Sequence, residues 1–292
     1  MSRSLMNAIS LATGLLLAVN VSLYVRFLLQ SKKRKSEESE VAPPRMLAFG
    51  DSVTEFGFNT ETKGWLAQMQ HWYARKVDVK SLGFSGYNSR WALLIMNRLF
   101  KKGGSTAKTA LITIFLGIND ASFDDSSQHV PLGEYRENMV KILNHLRHTY
   151  EKASIVLITP APIHNSKLEK NLVEVYGSFL NRSSENALKY VQVCLEISKE
   201  YGIPALNLFE ALGNGNQDLA DKYLIDGIHL SSEGNTRLFE ELKKIIEDEL
   251  PHIDPKNMPM IAPYFGDIDV DNLAPCLLDD LEAYEKLNES KF

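Results

Sequence analysis

The stretch MLAFGDSVTE, residues 46–55, joins a short apolar run to a polar turn. Residues 46–49 are all apolar, and Gly50 ends the run because a residue without a Cβ can adopt the backbone of a tight turn. Ser52 therefore follows the carboxyl end of a predicted strand, where ligands bind in open α/β sheets. We interpret Ser52 as a nucleophile. A Gly-Asp-Ser triplet also forms ordinary polar turns, so this interpretation depends on other stretches.

Apolar runs alternate with helical patterns along the chain after this stretch. Helices are predicted at residues 65–75, 89–100, 132–150, 184–201 and 231–250, and strands at residues 46–49, 77–82, 110–116, 154–159 and 204–208. Strands that alternate with helices indicate a parallel sheet covered on both faces. The sequence thus predicts one α/β domain with a parallel five-stranded sheet.

Composition narrows the functional classes. The 292 residues carry a formal net charge of −5, which argues against a basic nucleic-acid-binding surface. Cys194 and Cys276 have neither zinc-site spacing nor a disulfide framework, and the histidines form no H-E-x-x-H motif. We therefore expect no metal, no cofactor and no nucleic-acid partner.

Residues 5–25 form an uncharged, largely apolar segment. As a helix it would span about 30 Å of hydrocarbon, and Arg26 at its end can reach the lipid headgroups. The segment predicts a transmembrane helix, with membrane contact through residues 5–29. A cleaved signal peptide fits less well, since the positive charge follows the apolar run. An organelle-targeting presequence and a buried core helix are further alternatives.

The charged flanks of this segment predict its orientation. Arg3 precedes it, whereas Arg26 and the basic residues 32–35 follow it, and the more positive side normally stays cytoplasmic. We expect a single-pass membrane protein with a cytosolic catalytic domain. The organelle is left open, with the endoplasmic reticulum and the mitochondrial outer membrane as candidates. The predicted organisation is an anchor at 1–30, a basic then acidic and Pro-rich linker at 31–45, a hydrolase domain at 46–265 and an acidic tail at 266–292.

The stretch Asp226-Gly227-Ile228-His229 precedes the last predicted helix. A serine hydroxyl is a weak nucleophile at neutral pH and needs a general base, for which His229 is the candidate. The base needs a carboxylate to hold its tautomer, and Asp226 lies close enough in sequence for one tight turn to present both side chains. An isolated D-x-x-H sequence is more often an ordinary loop.

Two further loops predict donors for a negatively charged oxygen. Acyl transfer places negative charge on the carbonyl oxygen, and a fixed amide donor there is worth about 3 kcal/mol of barrier. Asn119 follows the central apolar strand and can supply a side-chain donor. Gly86 follows the second strand and can supply a backbone N–H, with the N–H of Ser52 as a third. Simple turn formation is the alternative role for each residue.

Ser85 is a rival nucleophile because Gly83-Phe84-Ser85-Gly86 partly matches the G-x-S-x-G elbow of α/β-hydrolases. The match fails at Tyr87, where that motif requires glycine. The short spacing of Asp226 and His229 also differs from α/β-hydrolases, in which the acid stands well before the histidine. A different class of serine hydrolase is indicated.

Together these motifs, in chain order, resemble the four blocks of the GDSL/SGNH hydrolases: GDS at 50–52, Gly86, G-x-N-D at 117–120 and D-x-x-H at 226–229. Longer stretches are similar to the isoamyl acetate-hydrolysing esterases over about residues 46–260. These are DSVTEF at 51–56, GYNSRWAL at 86–93, IFLG at 114–117 and H-x-x-PKNM at 252–258.

This resemblance implies a flavodoxin-like three-layer α/β/α sandwich, the SGNH hydrolase fold. It implies Ser52, Asp226 and His229 as the catalytic triad, and Ser52, Gly86 and Asn119 as the oxyanion hole. The implied activity is that of a serine esterase acting through an acyl-serine intermediate. Its expected substrates are small-molecule esters with short or medium acyl chains, such as isoamyl acetate. Two alternatives are a lysophospholipase or thioesterase acting on lipid acyl esters, and a noncatalytic membrane adaptor. The oligomeric state is left open.

Overall fold

The computed structural model describes residues 42–100, 108–176, 181–271, 273 and 277. Five parallel strands form one sheet in the order β2-β1-β3-β4-β5. The strands are β1 (Arg45–Gly50), β2 (Asp78–Gly83), β3 (Thr109–Phe115), β4 (Ser154–Ile158) and β5 (Ala205–Leu206). The predicted parallel five-stranded sheet is confirmed.

Helices cover both faces of this sheet. In chain order the described α-helices are α1 (Ser52–Glu55), α2 (Trp65–Trp72), α3 (Ser89–Leu99), α4 (Leu132–Thr149), α5 (Asn165–Tyr176), α6 (Ser184–Tyr201), α7 (Leu208–Ala211), α8 (Gln217–Tyr223) and α9 (Ser232–Glu249). Short 3-10 helices occur at Phe56–Phe58, Pro251–Ile253, Pro255–Asn257 and Phe265–Asp267.

Side chains that alternate between the two faces of the sheet divide the hydrophobic core into two halves. On β1, Met46 and Ala48 pack with α2 and α9, whereas Leu47 and Phe49 pack with α3, α4 and α6. Successive side chains of a strand point to opposite faces, so a strand buried on both sides reads as one continuous apolar run. The result is the three-layer α/β/α arrangement that was predicted.

Most predicted bounds differ from the observed ones by one residue, but two elements are shorter by more than that. Strand β5 stops at Leu206 because the side chain of Asn207 accepts a hydrogen bond from the N–H of Glu210 and caps α7. Helix α2 ends at Trp72, and Arg75 beyond it adopts a left-handed backbone with φ of 64°. Helices α1, α5, α7 and α8 were not predicted, because each is short or begins in a polar segment.

The predicted membrane helix at residues 5–25 lies outside the described residues. Within the described ranges, no helix is both long enough and apolar enough to cross a membrane. Most of the predicted linker and tail also lies outside these ranges, so the domain boundaries stay predictions. Cys194, by contrast, is described and is a buried free thiol.

Main-chain hydrogen bonds tie the end of β1 to both neighbouring strands. The N–H of Asp51 donates to the carbonyl of Phe115 at the end of β3, over 3.3 Å. The N–H of Phe84, just beyond β2, donates to the carbonyl of Gly50 over 2.9 Å. Helix α1 therefore begins at a fixed height above the sheet, with Ser52 as its first residue.

Gly83 allows β2 to approach α1 closely. A Cβ added at Gly83 would lie 2.0 Å from the backbone nitrogen of Glu55, so Gly83→Ala forces strand and helix apart. We expect this variant to lose about 1–3 kcal/mol of unfolding free energy, as overpacked sites do. Gly133→Ala is the matched control, because a Cβ there meets nothing within 4 Å. Urea unfolding of both variants tests this, and equal stability of the two would contradict it.

Candidate active site

Ser52 stands in the turn from β1 into α1 and is largely buried. Asp51 caps the helix, since its Oδ1 accepts a hydrogen bond from the N–H of Val53 over 3.0 Å. The first N–H groups of a helix have no intrahelical acceptor, so a backbone donor stands beside the Ser52 hydroxyl. Ser52 therefore presents both its hydroxyl and its backbone N–H at the carboxyl edge of the sheet.

Asp226 and His229 occupy one tight turn before α9. Oδ1 of Asp226 accepts hydrogen bonds from the N–H groups of Ile228 (3.0 Å) and His229 (2.8 Å). Gly227 has a φ of 97°, a conformation that favours glycine, and its carbonyl accepts a hydrogen bond from the N–H of His164 over 2.9 Å. The turn is thus held both internally and by the segment that leads into α5.

A chain of hydrogen bonds runs from Ser52 through His229 to Asp226. Oγ of Ser52 lies 2.9 Å from Nε2 of His229, and Nδ1 of His229 lies 2.6 Å from Oδ2 of Asp226. With the proton on Nδ1, the imidazole donates to the carboxylate and accepts from the hydroxyl. The structure therefore brings the three predicted triad residues together, across 177 positions of sequence between Ser52 and His229.

Asp226 keeps its negative charge in this arrangement. Partial burial raises its pKa, but the hydrogen bonds from the His229 side chain and backbone, together with the attraction of the imidazole, outweigh burial and lower the pKa below its ordinary value. An ionised Asp226 holds the Nδ1–H tautomer and stabilises an imidazolium. The geometry therefore suits removal of the Ser52 proton by His229.

The predicted oxyanion donors lie in turns after β2 and β3. Gly86 has a φ of 78° and is the third residue of a turn closed by a hydrogen bond from the N–H of Tyr87 to the carbonyl of Phe84. Asn119 is buried, and its Nδ2 donates to the carbonyl of Tyr87 over 2.9 Å. Asn119 therefore contacts the loop of Gly86 directly. The two loops are neighbours because both follow strands at the carboxyl edge of the same sheet.

Sequence analysis missed Arg182 and Gln128, which contact these donors. Arg182 is 5% exposed, and its Nη1 donates to Oδ1 of Asn119 over 2.9 Å. Nε2 of Gln128 donates to the carbonyl of Gly86 over 2.8 Å. Both residues lie in polar loop sequences, and the sequence carries no signal that relates them to Asn119.

Two carboxylates are buried below the site. Burial raises the pKa of Asp51 to about 7 and that of Asp120 to about 6. Both oxygens of Asp120 accept from the N–H of Ser89, at 2.9 and 3.1 Å. Oδ2 of Asp51 is buried and has no hydrogen-bond partner among the described residues. Asp51 therefore holds its proton at neutral pH more readily than an exposed aspartate does.

A small cavity of roughly 50 Å³ adjoins His229. Its walls include Val53, Phe56 and Ile225, and the ring of Phe56 lies 5.2 Å from the imidazole, edge to face. Phe56 and Ile225 are also partly exposed, at 44% and 53%. The wall of this cavity is therefore mostly apolar, with Asn59, Thr62 and Asn235 as its polar members, and Ser52 does not line it.

A hydrogen-bonded serine, histidine and aspartate at the carboxyl edge of this three-layer sandwich define a serine hydrolase. Residues 48–237 match the GDSL-like Lipase/Acylhydrolase family. The chain belongs to this family and is a serine esterase, a hydrolase of carboxylic esters. The predicted family is confirmed.

Similar proteins support this assignment. The chain is 37% identical to the Isoamyl acetate-hydrolyzing esterase 1 homolog of Homo sapiens, over 77% of this chain and 88% of that protein. It is 33% identical to the Isoamyl acetate-hydrolyzing esterase of Saccharomyces cerevisiae, over 73% and 90% respectively. A crystal structure of the lipase/acylhydrolase from Enterococcus faecalis superposes with a TM-score of 0.53 at 21% identity, covering 70% of this chain and 95% of that one. This last similarity bears on the fold alone.

The buried carboxyl of Asp51 predicts a pH-dependent stability. Its pKa is about 7 in the fold and about 4 in an unfolded chain. Between these values the folded state holds a proton that the unfolded state has released, so the contribution of Asp51 to stability falls as pH rises. Asp51→Asn cannot titrate, and we expect its melting temperature relative to wild type to rise between pH 5 and pH 8.

The control is Asp125→Asn, because Asp125 is exposed. Its melting temperature should keep a constant offset from wild type over the same pH range. A constant offset for Asp51→Asn as well would show that burial does not hold the proton on Asp51.

Proposed function

We propose that this chain hydrolyses acetate esters and other short or medium acyl esters through an acyl-Ser52 intermediate. The observation that carries the proposal is the unbroken hydrogen-bond chain from Ser52 through His229 to Asp226, with links of 2.9 and 2.6 Å. These lengths allow proton transfer without a prior rearrangement. No cofactor takes part.

In this mechanism Oγ of Ser52 attacks the ester carbonyl while Nε2 of His229 takes the hydroxyl proton. Asp226 stabilises the resulting imidazolium. The N–H groups of Ser52 and Gly86 and the Nδ2 of Asn119 bind the oxyanion. The imidazolium then gives its proton to the leaving alkoxide, and the alcohol departs. Water, deprotonated by His229, attacks the acyl-serine, and release of the acid restores the hydroxyl.

The names of two relatives favour short substrates. The human and yeast proteins bear names that specify isoamyl acetate hydrolysis.

The test is hydrolysis of p-nitrophenyl esters from acetate to palmitate by the purified full chain, wild type beside Ser52→Ala. We expect the highest kcat/KM for the short esters and a loss of about 10⁴-fold or more in Ser52→Ala, since the nucleophile is removed. Ser85→Ala is the matched control and should keep wild-type turnover.

Other outcomes discriminate the alternatives. Ser52-dependent turnover that is highest for palmitate would replace this proposal with lipid acyl ester hydrolysis. Absence of turnover in a folded wild-type chain that also fails to react with a fluorophosphonate would leave the noncatalytic adaptor.

We further propose that residues 5–25 anchor the chain in a membrane with the esterase domain in the cytosol. The support is the uncharged apolar run and the basic residues that follow it. The endoplasmic reticulum and the mitochondrial outer membrane are both compatible with this topology.

The anchor predicts that the full chain stays in the membrane fraction after carbonate extraction. Deletion of residues 1–30 should release it, and protease added to intact organelles should digest the domain that follows residue 45. Release of the full chain by carbonate would overturn the anchor, and protection from protease would overturn the cytosolic orientation.

A further inference from the structure

Arg182 is a buried cation whose guanidinium makes hydrogen bonds to four acceptors. Nη1 donates to Oδ1 of Asn119 (2.9 Å) and to the carbonyl of Ile118 (3.2 Å). Nη2 donates to Oε1 of Gln128 (2.6 Å), and Nε to Oδ1 of Asn181 (3.0 Å). Burying a guanidinium is unfavourable unless such bonds compensate it, so this arrangement requires an explanation.

Gln128 extends the contacts of Arg182 to the second oxyanion loop. Its Oε1 accepts from Arg182, and its Nε2 donates to the carbonyl of Gly86 (2.8 Å) and, at 3.4 Å, to Oδ1 of Asn119. One guanidinium is therefore connected to both loops that carry the proposed oxyanion donors. The guanidinium of Arg182 can only donate and the carbonyl of Gly86 can only accept, so the orientation of the Gln128 amide between them is fixed.

The bond from Arg182, together with the bond to the Tyr87 carbonyl, sets the orientation of the Asn119 amide. A guanidinium can only donate, so the amide atom beside Nη1 must be the oxygen Oδ1. The amide nitrogen Nδ2 then lies on the opposite side, where one of its protons goes to the carbonyl of Tyr87. The second proton is the one that can reach an oxyanion. A flipped amide would place an oxygen there and repel the developing charge.

We propose that Arg182 is a positioning residue for the oxyanion hole, which orients the amide of Asn119 directly and the loop of Gly86 through Gln128. This inference rests on the proposed function of the site. Arg182 touches neither the reacting oxygen nor the ester. It acts by holding the donors in place before the substrate arrives, so that no reorganisation is needed as charge develops.

The charge of Arg182 adds to this effect. Burial lowers its pKa to about 10, while attraction to Asp51 and Asp120 opposes the shift, so the guanidinium stays positive at neutral pH. A cation bonded to Oδ1 of Asn119 draws electron density from the amide and makes Nδ2–H a stronger donor.

A double-mutant cycle between Arg182 and Asn119 tests the proposal. We expect Asn119→Ala to lower kcat by about 100-fold, as removal of an oxyanion donor does elsewhere. Arg182→Met keeps the length of the side chain but has no donors, and we expect it to lower kcat by about 10-fold or more with little change in KM. In the Asn119→Ala background the same change should cost clearly less than in the wild-type background, because only the support of the Gly86 loop through Gln128 is then left to lose.

The control is Arg136→Met, since Arg136 forms a partly exposed ion pair with Glu200 that joins α4 to α6. It should leave kcat unchanged. Arg182→Lys tests geometry separately from charge. An ammonium keeps the charge but cannot bond Asn119 and Gln128 as a planar fork does, so we expect most of the loss to persist.

Fluorophosphonate labelling of Ser52 tests the role of Arg182 without relying on which ester the protein cleaves. The rate at which a fluorophosphonate labels Ser52 depends on the same donors, because Oγ forms a bond to phosphorus, fluoride leaves and His229 takes the hydroxyl proton. If wild type is labelled but cleaves no ester, the proposed function fails and the cycle is measured on labelling instead. If Arg182→Met is too unstable to measure, Gln128→Leu replaces it, with kcat expected to fall because Gly86 loses its support.

Additive losses in the Arg182 and Asn119 cycle would overturn the proposal, since a residue that only stabilises the fold lowers activity independently of Asn119. A loss confined to KM, or an unchanged rate in both readouts, would overturn it equally. Coupled losses in kcat with a near-wild-type melting temperature would confirm it.

Discussion

Two main-chain hydrogen bonds at the end of β1 determine the geometry of the whole site. They join Asp51 to the end of β3 and Gly50 to the residue after β2. Neighbouring strands lie about 4.8 Å apart, so a serine fixed between β2 and β3 automatically has the loops of both strands beside it. Gly86 and Asn119 are in those loops. The sheet therefore places the turn of Ser52 beside both loops, whereas side-chain hydrogen bonds such as that from Arg182 to Asn119 hold the groups within them.

Three buried ionisable residues lie beneath the loops of Gly86 and Asn119. Asp51, Asp120 and Arg182 lie there, whereas the two core halves on the faces of the sheet are built from apolar residues. Buried ionisable groups destabilise a fold unless they are paired or hydrogen-bonded. Their position next to the loops that we propose to bind developing negative charge suggests that order in these loops is gained at a cost in stability. Such trade-offs are common at functional sites.

The elements with strong local signals could be predicted from the sequence. Strands β1, β3 and β4 are continuous apolar runs, and the 18-residue helices α4, α6 and α9 have clear apolar faces. That Ser52, Asp226 and His229 lie together could be predicted because each belongs to a short motif whose proposed chemistry requires the others. Arg182 could not, because its role depends on a contact with Asn119 across 63 residues. The short strand β5 was overestimated, since a capping side chain at Asn207 decided its end.

The single turn that holds Asp226 and His229 has a consequence for how this architecture can change. Because acid and base share one backbone turn, they behave as one rigid body, and only its distance from the serine must be preserved. Among Ser52, His229 and Asp226, only the position of the turn relative to the serine then has to be kept, because the turn itself keeps His229 beside Asp226. Loops along the same edge that carry neither this turn nor Gly86 or Asn119 are released from that requirement and can vary in length. Evolution can therefore reshape the space around the ester, and so the choice of substrate, while the chemistry is inherited unchanged.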